Sequence, residues 1–178
     1  MKKILLGSLL MIIAAACSSV QVSYDYDKQV DFSKYKSYAF TQEALDLAMD
    51  QLNRDRILKA IETELTAKGF TKSESPDAWV HVAVKTAQRT EAVANTSGGY
   101  GMYGRYGYGG GFTTTTVDYN EYTDGTLFVS LVDKSTEKIV WTGRGTKTID
   151  EHSSAEKRDQ NITYAVKQIF LNYPPKAK

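Results

Sequence analysis

The chain has one cysteine among its 178 residues, Cys17. A disulfide framework is therefore excluded, and packing has to hold the fold. There are two histidines, His81 and His152. They lie in separate segments without a nearby ligand set, which is too few donors for a zinc site. Past the N-terminal segment there is no apolar run of about 18 residues, so no transmembrane helix is expected. Neither sign of charge dominates, with 22 basic residues against 21 acidic ones. A nucleic-acid partner would call for a clustered basic face, and none is read here. No serine stands in a G-x-S-x-G pattern, and no nucleophile–base pair is legible. The expectation is a protein without catalytic residues, cofactor or metal.

What is present begins at the N-terminus. Lys2 and Lys3 form a positive start, Ile4 to Ile13 are almost wholly apolar, and Ala14-Ala15-Ala16 precede Cys17. The apolar run is far shorter than the roughly 20 residues that span a bilayer as a helix. Positive start, short apolar run and small residues make a secretory signal peptide that is removed. The cysteine directly after them resembles the bacterial lipobox, with Ala14 where that motif usually has Leu. The resemblance implies diacylation of the Cys17 sulfur, cleavage before Cys17, and acylation of the new amine with a chain such as palmitate. Stable anchoring takes more than one acyl chain, at about 0.8 kcal/mol per buried methylene. Ser18 after the cysteine implies the periplasmic face of a Gram-negative outer membrane. Lys2 and Lys3 leave with residues 1–16, so 20 basic residues face 21 acidic ones in the remaining 162. That length suits one domain with a real core. Ser18 to Gln21 reach at most about 14 Å when extended, which holds the domain close to the membrane.

The domain reads in order as follows. Val20 to Tyr26 alternates, with Val20, Val22, Tyr24 and Tyr26 on one face, and predicts a half-buried strand. Asp25, Asp27 and Asp31 lack the Gly and distal Glu of a calcium loop and read as turn carboxylates. Tyr35 to Phe40 predicts a second strand. Glu43 to Lys68 has helical spacing in Leu47, Leu52, Ile57, Leu58, Ile61 and Leu65, with Asp50 or Asn53 as cap and Gly69 as stop. Ala78 to Thr86 predicts a strand with Val80, Val82 and Val84 on one face and Trp79, His81, Ala83 and Lys85 on the other.

Residues 97–112 are low-complexity. From Gly98 to Gly111 there are eight glycines and four tyrosines in 14 positions. Glycine loses more backbone entropy than any other residue on ordering, so a loop is expected. The stretch Gly99-Tyr100-Gly101-Met102-Tyr103-Gly104 spells G-x-G-x-x-G, but no strand precedes it and no helix follows, as dinucleotide binding requires. Thr113 to Tyr122 has high β propensity, so the Gly/Tyr segment reads as the tip of a long hairpin. Tyr100, Tyr103, Tyr106 and Tyr108 are the candidate contact residues, since tyrosine among glycine suits recognition of a protein, glycan or membrane surface.

Thr126 to Asp133 is apolar on both faces, which places it centrally. A polar turn and Ile139 to Ile149 complete an antiparallel hairpin. Ser153-Ser154-Ala155-Glu156 fits a capping box for a last helix through Ile162, Val166, Ile169, Phe170 and Tyr173, stopped by Pro174-Pro175.

Several of these stretches resemble a known family. They are Tyr24-Asp25-Tyr26-Asp27, Asp31 to Phe40, Ile61 to Phe70, and Thr126-Leu127 through Val140-Trp141-Thr142-Gly143. Together they look like the bacterial lipoprotein family known as domain of unknown function 4136. That family has no assigned activity, so the resemblance implies compartment and fold only. The expected architecture is α+β: an antiparallel sheet of five to six strands with two α-helices packed on one face. The expected layout is a signal peptide over 1–16, a lipidated cysteine and tether over 17–23, and a single domain over 24–175. The expected role is a non-enzymatic envelope interaction or structural module with a protein or glycan partner. The alternative is a periplasmic module that holds a small or lipidic ligand between sheet and helices.

Overall fold

The computed structural model describes residues 20–99 and 112–175. Cys17 and Tyr100, Tyr103, Tyr106 and Tyr108 lie outside that range. The fold is α+β. Strands β1 (Gln21–Tyr26), β2 (Ser37–Phe40), β3 (Thr71–Lys72), β4 (Ala78–Gly99), β5 (Phe112–Asp133) and β6 (Ile139–Ile149) form one sheet in the order β1-β6-β5-β4-β2-β3. Helices are α1 (Gln42–Leu45), α2 (Gln51–Ala67) and α3 (Ala155–Phe170). Among the described residues no helix is long and apolar enough to cross a membrane. β1 takes in residues 21–23, so the sheet begins inside the stretch assigned to the tether.

The sheet is mixed rather than purely antiparallel. β2 runs parallel to β3 and to β4, pairing Tyr38–Phe40 with Ala78–Val80. The cause is the connection. Parallel neighbours need a crossover of a dozen or more residues, and α2 between β2 and β4 is such a crossover. β5 lies between β4 and β6, as its two apolar faces require.

The expected helix over 43–68 is two helices. Thr41 caps α1 by accepting from the Ala44 amide at 3.3 Å, and the chain then breaks over 46–50. Asp50 restarts it, accepting from the Asn53 amide at 3.0 Å. Gly69 closes α2 at φ 87°, and the Phe70 amide donates back to the Leu65 carbonyl at 3.0 Å. That left-handed position is one where a Cβ is strained. Ser154, one residue past the first serine of the expected box, caps α3 by accepting from the Lys157 amide.

α2 and α3 cover one face of the sheet. Val80 and Val82 of β4, Val129 and Leu131 of β5, and Trp141 of β6 are all at most 1% exposed beneath them. Trp141 stacks on Phe170 of α3 at 5.4 Å, and Tyr173 meets its edge at 5.2 Å. Gly143 lies directly under α3, where a Cβ would stand 2.6 Å from both Ile169 Cγ2 and the Trp141 ring. The helix therefore approaches β6 more closely than any side chain there allows. The opposite face carries cross-strand hydroxyl pairs, Ser130–Thr142 and Thr126–Thr146, both at 2.9 Å.

Candidate functional site

Buried polar groups come first, because chemistry tends to gather there. Asp133, 2% exposed at the end of β5, accepts from Lys34 Nζ at 2.6 Å and from Tyr35 Oη at 2.7 Å. It also takes the Ser135 amide at 2.8 Å, the Ser135 hydroxyl, and the Thr136 amide at 3.0 Å. The Lys34 and Ser135 hydrogen bonds, then that of Tyr35, hold its carboxyl far below the usual carboxylate range. Burial first, then the bond to Asp133, pushes the Tyr35 phenol up to about 12. Every oxygen is engaged, so this cluster ties the β5–β6 turn to the 3₁₀ turn Phe32–Lys34. A structural role accounts for all of it. Nothing in the sequence near Asp133 marks it, since Lys34 is 99 positions away.

The histidines and the N-terminal aspartates stand apart. His81 Nδ1 lies 3.4 Å from Thr41 Oγ1, and His152 is exposed beyond β6. Asp27 and Asp31 accept from amides two residues on, each at 2.9 Å, and Asp25 from the next amide at 2.9 Å. Asp27 and Asp31 are turn carboxylates, whereas Asp25, expected as one, lies within β1 opposite Thr142. Among the described residues no group of three or more His, Cys, Asp or Glu is placed to hold a metal ion.

The longest elements of the fold, among the described residues, are β4 and β5. Each has 22 residues, paired without a break from Ala78–Asp133 to Gly99–Phe112. β6 accompanies β5 only as far as the Thr123–Ile149 pair, and β2 leaves β4 at Val80. The eleven pairs from Arg89–Tyr122 to Gly99–Phe112 therefore form a two-stranded arm beyond the sheet. At about 3.3 Å per residue it projects about 35 Å. Over 92–98 and 113–121 its side chains are exposed on both faces, with Tyr119 at 71%. From Ala92 to Gly99 and from Phe112 to Val117 it carries no charged residue. The run Thr113 to Tyr122, expected as a separate strand, is continuous with Thr126 to Asp133.

The arm is fastened at its root. Arg89 pairs with Glu91 and donates to Asp124 Oδ2 at 3.2 Å, while its guanidinium lies 5.4 Å from the Tyr122 ring centre. Asp124 Oδ1 accepts from Thr148 Oγ1 of β6 at 2.7 Å. The Gly/Tyr segment joins the two strands past Gly99 and Phe112, outside the described residues.

Beside the root lies a cavity of about 380 Å³ between the sheet and the first turns of α2 and α3. Ile57, Val84, Leu127 and Ile162 give it an apolar interior, and Gly125 and Gly145 send no side chain into it. One cation lines it from the sheet. Alternation along β6 puts Trp141, Gly143, Gly145, Lys147 and Ile149 on the helix-facing side, so Lys147 occupies a core-facing row. Its ammonium donates to Asn161 Oδ1 of α3 at 2.7 Å. Arg158 of α3 also lines the cavity, with Nη2 donating to the Glu151 carbonyl at 2.9 Å. The sequence does carry a trace of this, a lysine in the apolar phase of β6, which periodicity alone does not separate from a surface position.

Arm root, cavity and chain start share one end of the sheet. Gln21 of β1 is level with Thr146 of β6, which is level with Thr126 of β5, three residues from Thr123. Val20 lies close enough to Gly145 that a Cβ there would stand 3.1 Å from Val20 Cγ1.

Among solved structures, the chain is similar to a PDZ domain protein from Parabacteroides distasonis ATCC 8503. The identity is 18% and the TM-score 0.48, over 87% of this chain and 35% of that one. The chain thus spans about a third of that protein's length. It is also similar to the PelC dodecamer from Paraburkholderia phytofirmans, at 12% identity and TM-scores of 0.42 and 0.43, over 85% of this chain and 95% of that one. No curated protein sequence matches it. A family model described as Domain of unknown function (DUF4136) matches residues 22–175. That match runs from the second residue of β1 to past the end of α3, so the chain belongs to the DUF4136 family.

Proposed function

We propose that this chain is a non-enzymatic interaction module, held by lipid on Cys17 at the periplasmic face of the outer membrane, with the β4–β5 arm as its contact element. The observation that carries the reading is the arm itself. Two strands extend about 35 Å past their last sheet neighbour and bury almost nothing on either face. An isolated two-stranded ribbon is marginal in water, and the domain's core gains little from so long an extension. Its partner is an envelope protein or glycan, engaged by the arm together with Tyr100, Tyr103, Tyr106 and Tyr108 at its tip. The geometry supports proximity to the membrane: Cys17 is three residues before Val20, at most about 11 Å, and precedes the end of the sheet from which the arm leaves.

The test replaces Tyr119 with a photocrosslinking residue in cells. A crosslink that maps to one envelope partner, together with loss of that partner's co-purification when Thr90 is joined to Glu121 through an Asn-Gly turn in the protein without the crosslinker, is the expected result. An unchanged set of envelope contacts in the armless protein, at unchanged folding, refutes the reading.

A second reading has its own observation, the cavity between sheet and helices. It supports a module that holds a small or lipidic ligand there, since such sites are concave, mostly apolar and carry few polar groups.

A further inference from the structure

We infer that the open edge of β5 in the arm pairs with the same edge of a second copy of this chain, antiparallel and two-fold symmetric about Thr115. The inference rests on the arm as contact element and names its partner.

The edge is bare. β5 has β4 on one side along its whole length, but β6 on the other only as far as Thr123. From Phe112 to Tyr122 the side away from β4 has no neighbouring strand among the described residues, and no main-chain hydrogen bond from outside the ribbon reaches it. Such an edge presents a row of unpaired amides and carbonyls, which proteins usually guard with lysine, proline or a bulge. From Phe112 to Val117 there is no charge and no proline, and the pairing with β4 runs without a register shift. Four consecutive threonines and Val117 give the segment high β propensity. The other edge of the ribbon is a poorer template, since β4 holds Ala92, Ala94, Gly98 and Gly99 there.

The symmetry of the window selects a second copy. A two-fold contact has to be self-complementary, and a run of threonines is the same in either direction. An axis normal to the ribbon at Thr115 sets Thr113 opposite Val117, Thr114 opposite Thr116 and Thr115 opposite its own copy, with each face kept on its own side. The domain already joins β5 to an antiparallel neighbour in this manner, through the Thr126–Thr146 and Ser130–Thr142 hydroxyl pairs at 2.9 Å. The first charge along β5, Asp118, would stand about 20 Å from its copy, so no like charges oppose across the joint. The window also stops short of β6, whose last pair with β5 is at Thr123. Joined arms form a four-stranded sheet, past the three strands that independent stability needs, where one arm has two.

Cysteine crosslinking of the full chain in intact cells tests this. Thr115→Cys should give a disulfide-linked dimer on mild oxidation that is absent from the natural chain. Thr96, 3.3 Å from Thr115 through their hydroxyls, lies at the same depth on the other edge. Thr96→Cys should give no dimer, because three strand spacings, about 14 Å, separate it from its copy. Thr114→Lys with Thr116→Lys sets like charges opposite one another at exposed positions. It should abolish the Thr115→Cys dimer at an unchanged melting temperature. A Thr115→Cys dimer no stronger than that of the natural chain or of Thr96→Cys, or one that survives the two lysines, overturns the self-pairing. In each case the arm stands as a contact element if the photocrosslinker at position 119 captures a different protein, and falls only if the armless protein keeps all its envelope contacts.

Discussion

At the scale of single residues, Asp133 is where a small change has the largest effect. Removing its carboxylate strands the buried Tyr35 hydroxyl and frees two turn amides. Asp133→Ala should cost about 2–4 kcal/mol by urea denaturation. Lys34, half exposed at 50%, contributes little of that loss, because solvent screens it. Tyr35→Phe removes one bond only and should cost about 1 kcal/mol. The sign of the pH effect follows from the depressed carboxyl. In acid the unfolded chain binds the proton that folded Asp133 refuses, so stability is complete above about pH 5 and falls as pH drops below about 4. Chemical denaturation across that range should show a slope that Asp133→Ala flattens. Gly143→Ala should destabilise for another reason. Its Cβ would sit 2.6 Å from Ile169 and Trp141, forcing α3 off β6 at about 1–3 kcal/mol.

At the scale of elements, the arm and the core separate cleanly. Joining Thr90 to Glu121 through a two-residue turn removes exposed ribbon and no core side chain. The melting temperature should move by less than about 4 °C, against a much larger fall for Trp141→Ala. α3 should lose about 1 kcal/mol on Ser154→Ala, with a smaller effect of Ser153→Ala, as calorimetry on the two variants would show. Elements with local signals were legible in the sequence. α2 was visible in its 3–4 spacing, its Asp50 cap and its Gly69 stop, and β5 in its two apolar faces. The break between α1 and α2 was not, because Leu47 and Met49 continue the apolar pattern across it while they pack as loop residues. Nor was the parallel pairing of β2 with β4, which follows from where α2 crosses rather than from any residue in either strand. The arm's β character was written in its threonines. Its continuity through Gly125 was not, since an isolated glycine in a strand usually reads as an interruption. The candidate contact tyrosines and Cys17 were singled out from sequence alone and lie outside the described residues. The inward lysine of the cavity emerged only once the register of β6 was known.

At the scale of the whole molecule, position follows from one end of the sheet. β1 starts there, the arm leaves there, and the cavity opens between them. If Cys17 carries lipid, Cys17→Ser should shift the protein from the membrane to the soluble fraction, and mass spectrometry of the mature N-terminus should lose the acyl mass. An unshifted fractionation would refute the anchor.

The unbroken pairing of β4 with β5 has one more consequence. Side chains alternate between faces with a period of two, so deleting a single residue from one strand would turn over everything beyond it. Deleting two adjacent opposed pairs, such as Ala94 and Asn95 with Thr116 and Val117, would leave all other partners matched on their own faces and shorten the projection by about 6.6 Å. The ribbon is thus a graduated ruler, anchored at its zero by Arg89 and Asp124, and its reach can be reset in uniform steps without touching the domain that carries it.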